Sequence, residues 1–129
     1  MNKLNTVDPG WNWHDPYAFS QAVIVDGIIY VSGQASVDTD GNVVAAGDFE
    51  AQARQVFTNL QQILERAGSG LDRVFKVNIY VTDISHFDHI VECRKHYFSP
   101  PYPADTTVEV SALALPGLML EISVSAVCK

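Results

Sequence analysis

Residues 48–68, DFEAQARQVFTNLQQILERAG, leave the chain little choice of fold. Apolar side chains recur at Phe49, Ala53, Val56, Phe57, Leu60, Ile63, Leu64 and Ala67. That is the i, i+3, i+4, i+7 spacing of one helical face, held over roughly five turns. Asp48 stands where an N-cap is needed and Gly68 where a helix stops. The opposite side carries Gln52, Gln55, Asn59 and Gln62 and is predicted to be wet. So long an apolar stripe must lie on another layer, and the sequence on both sides alternates as strands do.

Upstream, SQAVIVDGIIYVSGQASVD reads as two strands, Ala22–Val25 and Ile28–Ala35, around Asp26 and Gly27. Two-residue Asp-Gly between β-branched runs is among the strongest short hairpin signals. Downstream, Val74, Lys76, Asn78 and Tyr80 alternate against Phe75, Val77, Ile79 and Val81. A second helix follows in SHFDHIVECRKHYF, with Ser85 and Asp88 as a capping-box-like start. Its stripe is Phe87, Ile90, Val91, Tyr97 and Phe98, and the prolines of SPPYP end it. Two strands close the chain, YPADTTVEVSAL and LMLEISVSAVC. The order β-β-α-β-α-β-β predicts an α+β fold, a mixed sheet with two helices on one face.

Asp105, Thr107, Glu109 and Ser111 share one face of the penultimate strand, and Glu121, Ser123 and Ser125 one face of the last. Placed together, they would make the uncovered sheet face semi-polar. A face of that kind is expected to meet copies of itself in a homo-oligomer.

The 129 residues fit one domain, 1–129, of which 1–18 form an irregular arm with Trp11, Trp13 and Tyr17. No apolar run approaches the roughly 18–20 residues of a membrane span, and the N-terminus has no apolar signal region. Two cysteines are too few for a disulfide framework, so the expected location is the reducing cytoplasm. A net charge of −7 with scattered Lys and Arg lacks the basic footprint of a nucleic-acid binder.

Several polar residues invite a sharper reading. Ser32 has no His or Asp beside it and reads as a hydrogen-bonder, not a nucleophile. His86, His89, Cys93 and His96 lie along one stripe of the second helix. One helix rarely supplies a whole coordination shell, so a wet or interface-lining edge is expected in place of a metal site. His14 is either a mobile acid/base or part of a packed aromatic arm. Glu109 is expected in a surface or interface ion pair.

The segments FSQAVIVDGIIYVSGQ, AQARQVFTNLQQILERAGSGLDRVFKVNIYVTDISHF, YFSPPYPADTTVEVSAL and LEISVSAV resemble, in order, those of the Rid family of reactive intermediate deaminases, also called YjgF. The resemblance spans roughly residues 17 to 127. It implies a chorismate-mutase-like fold, a homotrimer with clefts between subunits, and hydrolysis of 2-imino or 2-enamino acids without metal or organic cofactor. It further implies that Glu121 and the Thr107 carbonyl position the attacking water. Ser32, Gly33, Phe87 and Phe19, or Tyr17 two residues earlier, would line the pocket. The partners implied are a small-molecule substrate and the chain itself, with neither nucleic acid nor membrane.

One position departs from the pattern. Deaminating members carry an arginine that clamps the substrate carboxylate; this chain reads PAD there, with Asp105 in its place. The next arginine back is Arg94, on the second helix. A lone carboxylate about 4 Å from a substrate carboxylate would cost roughly 4 kcal/mol at an effective dielectric near 20. The expected substrate is therefore a neutral or cationic imine, enamine or related nitrogenous metabolite, hydrolysed or tautomerised, not the usual 2-imino acid. A protonated Asp105 facing Glu121 would be an escape. A non-catalytic ligand-binding or regulatory trimer is the alternative, followed by an aminomuconate-type deaminase and a ribonuclease.

Overall fold

The computed structural model describes residues 4–129; residues 1–3 of the arm lie outside them. Six strands form one mixed sheet: β1 (Asn5–Thr6), β2 (Ala22–Val25), β3 (Ile28–Ala35), β4 (Val74–Val81), β5 (Ala104–Glu109) and β6 (Leu120–Val127). Their order is β1-β2-β3-β6-β4-β5, with only the β4–β5 pair parallel. Two helices, α1 (Phe49–Arg66) and α2 (Phe87–Tyr97), complete the α+β fold read from the sequence.

The β2–β3 hairpin has the predicted bounds, and Asp26 and Gly27 both take positive φ, 51° and 77°. Left-handed residues at both central positions give the turn whose twist matches paired strands. Strand β1, and a short 3-10 turn at Asp15–Tyr17, are additions to the expected order. No helix among the described residues is long and apolar enough to cross a membrane.

The core lies between the sheet and α1. Phe57, Leu60, Ile63 and Leu64 of α1 are fully buried, as are Ile29, Val81, Leu120, Ile122 and Ala126 of the sheet. Asp48 caps α1 by accepting from the Ala51 N–H at 3.0 Å, and Gly68 stops it with φ 77°. The wet side expected for α1 is corrected. Gln52 is fully buried and Asn59 nearly so. Gln52 Nε2 donates to the Gly117 carbonyl at 2.8 Å, and its Oε1 accepts from the Met119 N–H at 2.8 Å. Asn59 donates to the carbonyls of Ala35 and Val37. These amides tie the end of β3 and irregular backbone that passes over the helix to α1, giving backbone groups there a partner.

The start of α2 also differs from expectation. A 3-10 turn, Ile84–His86, comes first, and Asp83 caps it by accepting from the Ser85 N–H at 2.9 Å. Among the described residues of one chain Glu109 has no ion-pair partner; it accepts from the Ile84 N–H at 3.0 Å and ties the same turn to β5.

Parallel register corrects the expected faces of β5. Asp105 pairs with Val77 and Thr107 with Ile79, and both partners are buried under the helices. Paired residues share a face, so Asp105 and Thr107 point to the helix side. Glu121, between the core residues Leu120 and Ile122, points to the uncovered side. The polar row of β5 and that of β6 therefore lie on opposite faces.

Candidate active site

A bulge in β3 shapes the uncovered side. Val31 pairs with Val124 and Gln34 with Ile122, so three residue steps on β3 match two on β6. The extra residue falls at Ser32 and Gly33 and turns this backbone toward Glu121. A β-carbon on Gly33 would lie 2.6 Å from the Glu121 Cδ and Oε2, so only glycine lets the carboxylate settle there. Burial of Glu121 pushes its pKa above the ordinary value of 4.5. The Ser32 hydroxyl donates to the Ser20 carbonyl at 2.6 Å, which leaves its oxygen free to accept but not poised to attack.

Above this carboxylate opens a cleft of about 580 Å³. It brings together Tyr17, Phe19, Ser32, Gly33 and Glu121, five of the eight residues singled out from the sequence. Its remaining wall is mostly apolar: Trp13 from the aromatic arm, and, without a sequence signal, Val37 with Leu115 and Leu118 from the loop before β6. Trp13 stands edge-on to Phe19, ring centres 5.8 Å apart, and packs on Gly41.

His14 belongs to the packed arm. It is buried, its Nδ1 lies 3.2 Å from Gln21 Nε2, and its ring tilts onto Phe19 at 5.6 Å. Gln34 Nε2 in turn donates to Gln21 Oε1 at 2.7 Å and to the Ser32 carbonyl. A buried amide chain thus runs from the arm to the bulge and fixes both.

Phe87, Asp105 and Thr107 do not line this cleft. They cluster with Arg94 at the β5 edge. Arg94 Nε donates to Asp105 Oδ2 at 3.1 Å and Nη2 to Oδ1 at 2.8 Å, a fork-on-carboxylate pair. Thr107 Oγ1 bonds both, at 2.7 Å from Arg94 Nη2 and 2.7 Å from Asp105 Oδ1. The guanidinium carbon sits 5.3 Å from the Phe87 ring centre. The expectation of an uncompensated negative group at position 105 is corrected: a cation eleven residues upstream neutralises it.

The histidine stripe is spread over the helix packing. His86 stacks on Phe49 at 4.1 Å, His89 meets the same ring edge-on, and Cys93 is buried, where burial and then the charges of Glu50 and Glu92 raise its pKa. Among the described residues no three potential ligands converge on a metal position.

Comparison with known proteins agrees with this architecture. A model of the endoribonuclease L-PSP family matches residues 14–128. The chain belongs to this family, also called Rid or YjgF. It is 35% identical over 109 residues to the human 2-iminobutanoate/2-iminopropanoate deaminase, covering 84% of this chain and 79% of that one. Among solved structures, a Rid-family protein from Yersinia pestis is 38% identical, with a TM-score of 0.79 over 85% of this chain and 87% of its own. Yeast Mmf1 is 32% identical, with a TM-score of 0.88 over 98% of this chain and 100% of its own. Within this Rid-family chain, Asp105 stands in an ion pair instead of alone.

Proposed function

We propose that the protein is a cofactor-independent enzyme that hydrolyses, and so deaminates, an imine or enamine of a small nitrogenous metabolite. The observation that carries this reading is the half-buried Glu121 carboxylate, seated against Gly33 at the floor of an apolar cleft. An iminium carbon is already electrophilic. A water beside Glu121 gives it a proton as the oxygen bonds to that carbon. The resulting carbinolamine passes its hydroxyl proton to nitrogen, the C–N bond breaks, ammonia leaves and a carbonyl remains. The same carboxylate moving a proton between carbon and nitrogen would tautomerise the substrate instead.

The active assembly in this reading is a homotrimer. Glu121 and the Asp105–Thr107 row lie on opposite faces of one sheet, so a single chain cannot close both around one molecule. A second copy bringing its β5 edge to the cleft would supply Phe87, Arg94, Asp105 and the Thr107 carbonyl. Cys93 and Cys128 are unpaired, which suits a reducing cytoplasm.

The Arg94–Asp105 pair gives the usual 2-imino acids little advantage over neutral imines. A carboxylate about 4 Å from the Arg94 guanidinium gains roughly 4 kcal/mol at an effective dielectric near 20, and loses roughly 3 kcal/mol to Asp105 if that lies about 6 Å away. A neutral acceptor forgoes both, so the net difference between acid and neutral imine is only about 1 kcal/mol. Among the described residues of one chain no lysine or arginine lines the cleft, which weighs against RNA as substrate.

The deciding experiment is ammonia release from freshly generated imines, one acidic and one neutral, by the native protein and by Glu121→Gln. The two imines are expected to turn over with kcat/KM values within about tenfold of each other, and Glu121→Gln to slow both by about a hundredfold or more. Binding without turnover would favour the ligand-binding trimer, and light scattering should give three chains of 14.2 kDa.

A further inference from the structure

The Arg94 cluster is built more tightly than a surface ion pair needs to be. The guanidinium spends Nε and Nη2 on Asp105 and Thr107, and Asp105 has both oxygens engaged. Nη1 alone has no hydrogen-bond partner among the described residues. It is not a buried orphan either, and the Arg94 side chain keeps 26% of its surface exposed. Beside it, Phe87 is 41% exposed, large for an aromatic ring with no structural duty to the core. A fixed donor next to an open aromatic face is a recognition element for a planar group bearing an acceptor oxygen.

We propose that Arg94 binds the substrate, its Nη1 donating to one acceptor oxygen, while Asp105 and Thr107 are positioning residues that hold the guanidinium and mute its charge. The proposal rests on the reading that this edge closes the Glu121 cleft. Three features support it. A bidentate carboxylate removes the rotational freedom an arginine would lose on binding. With Nε and Nη2 occupied, no second parallel bond is left to grip a carboxylate through the usual fork. Asp105 also cancels most of the field an anion would feel, so the subsite accepts a neutral carbonyl and a carboxylate on similar terms.

Calorimetry on the full chain with 2-oxobutanoate and 2-oxobutanamide, acid and amide stand-ins for a carbonyl product, tests this. The native protein is expected to bind both with Kd values within tenfold of each other. Arg94→Met should weaken both at least tenfold, raising KM in turnover with kcat changed less than threefold. Asp105→Asn should shift the preference at least tenfold toward the acid, a change that mere structural support would not produce. Native binding of neither compound, or native-like binding of both by an Arg94→Met protein of native mass and melting temperature, overturns the assignment. Should Arg94→Met not fold, Arg94→Lys keeps the charge and decides: unchanged affinity for the amide overturns it, a loss of at least threefold upholds it. An unshifted preference in Asp105→Asn overturns the charge-muting role. Arg94-dependent binding without ammonia release from any imine would leave this anchor standing and sink the enzymatic reading. Glu121-dependent turnover at native KM in Arg94→Met would do the reverse.

Discussion

Glu121 rests its carboxylate against the backbone of Gly33, with Cδ 2.6 Å from where a β-carbon would stand. Gly33 is not among the residues with positive φ, so alanine there meets no backbone strain, only the carboxylate. Gly33→Ala is therefore expected to fold and to push Glu121 out of its seat. In steady-state kinetics kcat should fall about tenfold to a hundredfold, in keeping with the sensitivity of catalysis to displacements near 1 Å. A crystal structure of the variant should show the Glu121 side chain in another rotamer.

Glu121 itself links activity to stability with a defined sign. Unfolded, it ionises near its ordinary value of 4.5; folded, burial holds the proton to higher pH. Stability is thus fully present below that ordinary value and declines as pH rises through the raised one, because the native state must ionise a desolvated acid. Glu121→Gln should melt a few degrees higher than the native protein at pH 7, with the difference vanishing below about pH 4. Its kcat should drop by about 10²–10⁴, the usual contribution of a general base. The native pH–rate profile should rise with an inflection above 4.5.

Gln52 is predicted to contribute to folding through its hydrogen bonds. It donates to the Gly117 carbonyl and accepts from the Met119 N–H, both 2.8 Å, in a fully buried position. Gln52→Leu keeps the volume and strands both backbone groups. Gly117 is exposed and Met119 partly so, which lets water reach the stranded groups, and chemical denaturation should show a loss of about 1–3 kcal/mol.

Local rules were strong where structure is local. Asp26-Gly27, the Asp48 cap and the apolar stripe of α1 each act within a few residues, and each was legible. Gln52 and Asn59 were misread because their partners, residues 35–37 at the end of β3 and 117–119 in a loop, lie far away along the chain. A helical amide that faces backbone looks, in sequence, like one that faces water. The register of β5 was hidden for a similar reason: alternation says which residues share a face, not which face the helices cover. The Arg94–Asp105 pair depends on that register and on where α2 ends, so residue spacing alone could not show it. In the cleft, the resemblance reached Glu121, Gly33 and Ser32, while Trp13, Leu115 and Leu118 arrive from irregular segments with no periodic signal.

Trp13 sets the last prediction. It joins the cleft wall, stands edge-on to Phe19 at 5.8 Å and to Tyr17 at 6.4 Å, and covers Gly41, whose β-carbon would lie 3.0 Å from the indole. The residue is half-buried, and its main neighbours belong to the arm and the cleft, not to the core. Trp13→Ala should therefore affect apolar substrates more than folding. A substrate whose side chain fills this wall would lose on the order of 2 kcal/mol of burial, which corresponds to a KM about thirtyfold higher. One with a bare methyl in that place should be nearly indifferent. Comparing KM for the two with native and Trp13→Ala proteins checks this, and equal losses for both would mean that Trp13 supports the arm without touching the ligand.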